Sequence, residues 1–155
     1  MAAYHLREGR PGDGPLIVEQ RRGMFVDMGY PGDARMAGMS QRFLPWVEER
    51  LATGVYRAWF VETEEGEPVA GAGLWFKEVQ PGLRSEYAFV PYVLNVYCRP
   101  DHRKRGLARR LMEAIVAACR EEGMAVIELH ASDDGRPLYE RMGFEPTNEM
   151  RLVLG

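Results

Sequence analysis

Asn95-Val96-Tyr97-Cys98-Arg99-Pro100-Asp101-His102-Arg103-Lys104-Arg105-Gly106-Leu107-Ala108-Arg109-Arg110-Leu111 is the stretch on which the fold of this chain turns. Its opening residues complete a run from Tyr92 to Cys98 whose β-branched and aromatic side chains alternate as in a strand, and Pro100 removes the backbone donor needed to extend a sheet. From Leu107 the apolar residues Leu107, Ala108, Leu111, Met112, Ile115, Val116 and Cys119 recur on one face of a 3.6-residue repeat, and Gly123 is placed to end it. The stretch is strand, tight loop, amphipathic helix.

The charges at the helix start oppose the helix's own field. Arg103, Lys104, Arg105, Arg109 and Arg110 crowd the loop and first turns, where free backbone N–H groups and the positive end of the dipole favour anions. The arrangement becomes favourable when a polyanion sits there, gripped by N–H groups and neutralised by the side chains. Gly106, without a Cβ, lets the backbone come close. Arg103 to Ala108 therefore reads as a site for a phosphate-bearing ligand; a solvated basic helix start is the alternative.

Arg103-x-x-Gly106-x-Ala108, between a strand and a long helix, resembles the acetyl-coenzyme A binding motif of GNAT-type N-acetyltransferases. Leu138-Tyr139-Glu140-Arg141-Met142-Gly143-Phe144 is similar to the second signature of that family. The resemblance spans roughly Tyr92 to Phe144. It implies a mixed sheet in which the Tyr92 to Cys98 and Ala125 to Ala131 strands run parallel and splay apart, opening a slot for the pantetheine arm.

Composition sets the bounds. A chain of 155 residues with 46% hydrophobic and 28% charged residues fits a single soluble domain, 1–155. A net charge of −3 argues against general nucleic-acid binding. No apolar run reaches the ~20 residues of a membrane span, and Met1 to Arg10 lacks a signal-peptide core, so a cytoplasmic location is expected. Cys98 and Cys119 lack zinc spacing and read as buried free thiols; His5, His102 and His130 are scattered, so no metal site is expected.

In chain order, Tyr4 to Arg7 reads as a strand, and Asp13 as a cap for a helix running to about Met28 with Ile17, Met24, Phe25 and Met28 inward. Asp33 is placed to cap a second helix carrying Met36, Met39, Phe43, Val47 and Leu51, with Pro45 expected to kink it. Val55 to Glu62 and Pro68 to Phe76 read as a hairpin, Tyr87 to Cys98 as a long strand, and Ala125 to Ala131 as another. Pro137 opens a short helix and Met150 to Leu154 suggests a final strand. This order gives an α/β mixed sheet, mostly antiparallel, with helices on both faces.

By the same resemblance, Val96 and Cys98 offer backbone amides to the thioester and pantetheine, Arg103, Lys104, Arg105, Gly106, Leu107, Ala108 and Arg109 hold the diphosphate, and Ser132 touches the coenzyme. Tyr139 matches the family's general acid, and a phenol of pKa about 10 keeps its proton at neutral pH. His130, sharing a strand face with Glu128, is a candidate to relay the amine's proton, a task that water could also perform. Asn95 faces the acceptor side, and Phe25 and Tyr30, with Met24 and Phe43, are candidate acceptor walls. Glu19, Asp27, Glu48 and Glu49 are carboxylates that could draw in a cationic amine.

The expected activity is direct acetyl transfer from acetyl-CoA to a primary amine of a small molecule or peptide, without metal, in a family where homodimers are common. A non-catalytic acyl-CoA binding module is the competing class. A P-loop hydrolase is disfavoured, because Gly106 is not followed by Gly-Lys-Ser/Thr.

Overall fold

A computed structural model describes residues 3–155. The elements run β1 (Tyr4–Glu8), α1 (Gly14–Asp27), α2 (Ala34–Thr53), β2 (Tyr56–Thr63), β3 (Pro68–Glu78), β4 (Phe89–Cys98), α3 (Leu107–Glu121), β5 (Glu128–Leu129) and α4 (Arg136–Arg141). The strands form one sheet in the order β1-β2-β3-β4-β5; neighbours are antiparallel except β4 and β5, which are parallel. This is the mixed α/β architecture expected from the sequence. Among the described residues no helix is long and apolar enough to cross a membrane.

Two apolar layers cover the sheet, one on each face. Val61, Ala70, Ala72, Leu74 and Val93 pack under Leu107, Leu111, Met112, Ile115 and Cys119 of α3, with Tyr139 of α4. On the other face Tyr56, Ala58 and Phe60 pack under Ile17 of α1 and Val47 of α2. Period-two alternation along β2 and β3 thus feeds both cores. The basic residues of α3 point to solvent, because its buried stripe is the one the sequence periodicity marks.

Glycines on β3 make room for large side chains beneath the α1 and α2 face. A Cβ at Gly71 would come within 2.0 Å of Gln20 Oε1, and one at Gly73 within 2.0 Å of the Tyr56 hydroxyl. Any larger residue would displace a buried side chain.

Several expectations are corrected. Asp13 does not cap α1 with its side chain. Arg7 captures its carboxylate with two hydrogen bonds, at 2.8 and 3.0 Å, and the carboxylate also accepts from Arg10 N–H. Asp33 does cap α2, accepting from Arg35 and Met36 N–H. The second helix runs continuously through Pro45. Met28 is exposed, since α1 ends at Asp27 and leaves it beyond the packed face. The Ala125 to Ala131 strand shrinks to Glu128–Leu129, because only two residues find a register with β4. Met150 to Leu154 forms no strand: with no ladder partner, Met150, Leu152, Val153 and Leu154 stay exposed despite their β-type pattern.

Candidate active site

The two parallel strands separate where the chemistry is expected. The β4–β5 ladder consists of Tyr92 opposite Glu128 and Val93 opposite Leu129, whereas β4 continues to Cys98. Arg99 N–H donates to Val69 O on the β3 side at 2.8 Å. Since N–H directions alternate along an extended strand, Tyr97 also faces β3, and the Val96 and Cys98 amides face the edge that β5 has left.

A bulge in β4 lies just past the point of divergence. The β3–β4 register jumps from Gly73 opposite Leu94 to Gly71 opposite Tyr97, so Asn95 and Val96 share one opposing residue, and Asn95 takes a left-handed φ of 56°. The bulge also turns Asn95 toward α1, where its side chain is buried. Its Nδ2 donates to the Tyr56 hydroxyl at 2.9 Å, and its Oδ1 accepts from Arg21 at 2.6 Å. Asn95 was expected to orient an amine; its amide instead braces Tyr56 and Arg21 on the face covered by α1.

Past Cys98 the chain turns through a short 3₁₀ segment, Pro100–His102, and reaches α3 through Lys104 (φ 61°) and Gly106 (φ 75°). The first amide returned into the helix is that of Arg110, to Gly106 O at 3.0 Å, so the N–H groups of Leu107, Ala108 and Arg109 lie at the open helix start. Buried Leu107 fixes that start against the core, and a Cβ at Gly106 would meet no atom within 4 Å. A diphosphate fits this cradle of free amides, open space and cations.

The cations divide into two kinds. Arg103 donates to Cys98 O at 2.9 Å and forms an ion pair with Asp27, so it ties the loop to the end of β4 and to α1. Arg109 pairs with Glu113 at 2.8 Å. Lys104 and Arg105 have no carboxylate partner among the described residues, and Arg105 donates to the Tyr4 hydroxyl at 2.9 Å. Arg110 likewise has no carboxylate partner among the described residues, donating to Tyr4 O at 3.2 Å, so these three are the cations left unpaired at the helix start.

Tyr139 is buried on α4 in the same apolar cluster that Val96 and Cys98 flank, its ring edge-on to Phe144. Burial pushes its phenol pKa up, so it holds its proton at neutral pH. Ser132 accepts from Gly135 N–H at 3.1 Å and so shapes the turn into α4. His130 is exposed, edge-on to Tyr92 at 5.5 Å with its Nε2 4.0 Å from Glu149. Tyr92 packs edge-on to Trp75 on the α2 face, so His130 joins that face and not the cluster of Tyr139.

On the α2 face a cavity of about 330 Å³ is walled by Arg21, Arg42, Phe43, Trp46, Trp75 and Leu94. Phe25 and Tyr30 pack edge-on to one another beside Arg21, outside this lining. Glu19, Asp27, Glu48 and Glu49 are exposed and none lines it. The sequence reading missed Arg21, Trp46 and Trp75. The small residues at Gly71 and Gly73 signal only that large side chains cross β3 there, and those are Gln20 and Tyr56, not the cavity walls.

A sequence profile of the Acetyltransferase (GNAT) family matches residues 27–144. The crystal structure of a GCN5-related N-acetyltransferase from Ralstonia eutropha JMP134 is 37% identical, with a TM-score of 0.90 over 98% of this chain and 99% of that one. A predicted acetyltransferase from Clostridium acetobutylicum, crystallised with acetyl-CoA, is 25% identical with a TM-score of 0.87, over 98% of this chain and 96% of that one. The aminoglycoside N-acetyltransferase AAC(6')-Iy, in complex with CoA, shares the fold at 17% identity and a TM-score of 0.69, over 100% of this chain and 96% of that one. No curated protein matches in sequence. The profile match, the divergent parallel strands and the glycine-led start of α3 together make this chain a member of the GNAT acetyltransferase family.

Proposed function

We propose that this protein is an acetyl-CoA-dependent N-acetyltransferase that transfers the acetyl group directly to a primary amine. The observation that carries this reading is the departure of β5 from β4 after Val93, which leaves the Val96 and Cys98 amides facing a gap that leads to the start of α3. When bound, acetyl-CoA would supply an activated thioester. The amides of Leu107, Ala108 and Arg109, with Lys104 and Arg105, would hold its diphosphate. The Val96 and Cys98 amides would hold the arm and acyl carbonyl by hydrogen bonds that strand pairing has left free.

Tyr139 keeps a proton available at neutral pH, because burial disfavours its phenolate. It would serve as the acid for the departing thiolate. His130 stands at the edge of the α2 face, beyond Tyr92, and could accept a proton from the acceptor side. The acceptor would enter the cavity beside Trp46 and Trp75, which adjoins β4 at Leu94, next to the bulge.

Thiol release from acetyl-CoA, measured with a panel of primary amines, tests this. Amine-dependent release with a mass gain of one acetyl group on the amine is the expected result. Tight coenzyme binding without amine-dependent release would overturn it in favour of a binding module.

A further inference from the structure

Arg21 occupies an uncommon position for a cation. Its guanidinium lies over the rings of Phe25 and Phe43 at 5.0 and 4.7 Å, with Asn95 Oδ1 as its side-chain acceptor. Its Nε is buried without any hydrogen-bond partner. No carboxylate pairs with it among the described residues, and Arg42, the other charged residue of the cavity wall, is also cationic. Burial pulls the pKa of Arg21 down, the direction expected of a charge that has lost water and gained no counter-ion.

Holding such a charge is costly for the protein alone. Arg21 is half-buried, and cation–π contacts of about 0.5–2 kcal/mol each only partly replace the hydration it has lost. The protein nevertheless fixes the group from below: Asn95, itself locked by Tyr56, orients the guanidinium at the wall of the cavity. An anion entering this cavity would meet the Arg21 and Arg42 guanidinium groups on its wall. The remaining walls, Met39, Phe43, Trp46, Trp75 and Leu94, are apolar, and about 330 Å³ lies at the small end of ligand pockets.

We propose that the acceptor is an amine bearing its own carboxylate on an apolar body, a hydrophobic α-amino acid. The carboxylate sits on Arg21 and Arg42, and the side chain lies against Phe43, Trp46 and Trp75. A planar guanidinium suits a carboxylate by paired N–H donation. An α-amino acid also keeps its amine within two bonds of the anchored group, beside Leu94 and the bulge. The two arginines repel polyamines and other purely cationic acceptors. This specificity rests on the acetyl-transfer reading only for the fate of the amine; the anion site stands on the geometry of Arg21.

The test uses L-phenylalanine, L-leucine and L-methionine, the primary amide of each, phenethylamine, spermidine and phosphoethanolamine. Each is measured twice on the full chain: by tryptophan fluorescence without coenzyme, and by thiol release with acetyl-CoA. At least one free amino acid is expected to bind, and to turn over in kcat/KM, at least tenfold better than its amide. Arg21→Met should shrink that ratio below about threefold with coenzyme affinity unchanged by calorimetry, and Arg42→Met should narrow it less. If no free amino acid exceeds its amide in binding or turnover, or if spermidine or phosphoethanolamine is preferred, the proposal is overturned. Turnover of amines without a carboxylate preference removes the anion site and keeps the transferase. Carboxylate-selective fluorescence quenching without thiol release supports the anion site and removes the transferase reading.

Discussion

Asn95 Nδ2 donates to the Tyr56 hydroxyl at 2.9 Å, across a sheet in which the two residues belong to strands separated by β3. The bond is made possible by Gly73 on the intervening strand, over which the phenol passes, and by the bulge that turns Asn95 to the same face. One interaction therefore links the core under α1 and α2 to the point where β4 leaves β5.

Tyr56→Phe should leave the Asn95 amide buried with an unsatisfied donor and cost about 1–3 kcal/mol, read as a lower urea midpoint. The same residue predicts an alkaline signature. Burial raises the Tyr56 phenol pKa to about 12, against about 10 in the unfolded chain. Below pH 10 both states are protonated and the stability is intact; between 10 and 12 the folded state binds more protons, so stability falls as pH rises. The fall should be shallower in Tyr56→Phe than in the wild type.

Gly73→Ala should be more damaging than a typical strand substitution. Its Cβ would lie 2.0 Å from the Tyr56 hydroxyl, and neither backbone nor phenol can yield without breaking the bond to Asn95. A loss of about 1–3 kcal/mol from overpacking is expected, and Gly73→Ala combined with Tyr56→Phe should recover part of it in a double-mutant cycle. Strict additivity of the two losses would place the clash on the ring carbon Cζ, 2.4 Å from that Cβ and retained in phenylalanine.

What was legible in the sequence was local. Leu107 to Cys119 announce their helix because each turn repeats the same face, and Gly106 and Pro100 punctuate it without help from distant residues. The cavity was hidden for the opposite reason: Arg21 meets Asn95 across 74 positions of sequence, and only the sheet register brings them together. Met150 to Leu154 misled because a β-type pattern becomes a strand only when an edge is offered to it. His130 and Glu128 do lie next to one another around β5, but His130 packs toward Tyr92 and Trp75, away from Tyr139.

Arg7 and Asp13 give an acid-side prediction. The Arg7 guanidinium holds the Asp13 carboxyl below the ordinary aspartate range. Because the folded pKa is depressed, the pair contributes in full above the unfolded value of about 3.9 and is lost as pH falls through the folded pKa. Asp13→Asn should cost about 1–2 kcal/mol at pH 7. The gap to wild type should close on acidification below pH 3.9, as followed by urea midpoints across the window.

Gly106→Val should weaken coenzyme binding strongly while leaving a folded protein. The residue sits at φ 75°, where a β-branched side chain is strained by about 1–2 kcal/mol, and its Cβ would project into the space open at the helix start. A rise in Kd of more than about tenfold, or 1.4 kcal/mol, is expected by calorimetry. Unchanged affinity would place the diphosphate elsewhere.

Tyr139→Phe separates an acid from a packing residue. The ring is buried against Gly135 and Phe144, contacts that phenylalanine retains, so folding and coenzyme affinity should hold. If the hydroxyl delivers the proton to the leaving thiolate, kcat should fall by at least about tenfold with KM for acetyl-CoA little changed. The pH profile supplies the second readout. Burial lifts the phenol pKa above its usual 10, so the wild type should lose no activity through this group between pH 7 and 9, and any decline from its ionisation must lie above pH 10. A variant with wild-type kcat would leave Tyr139 as part of the core under α3 and assign the proton to water.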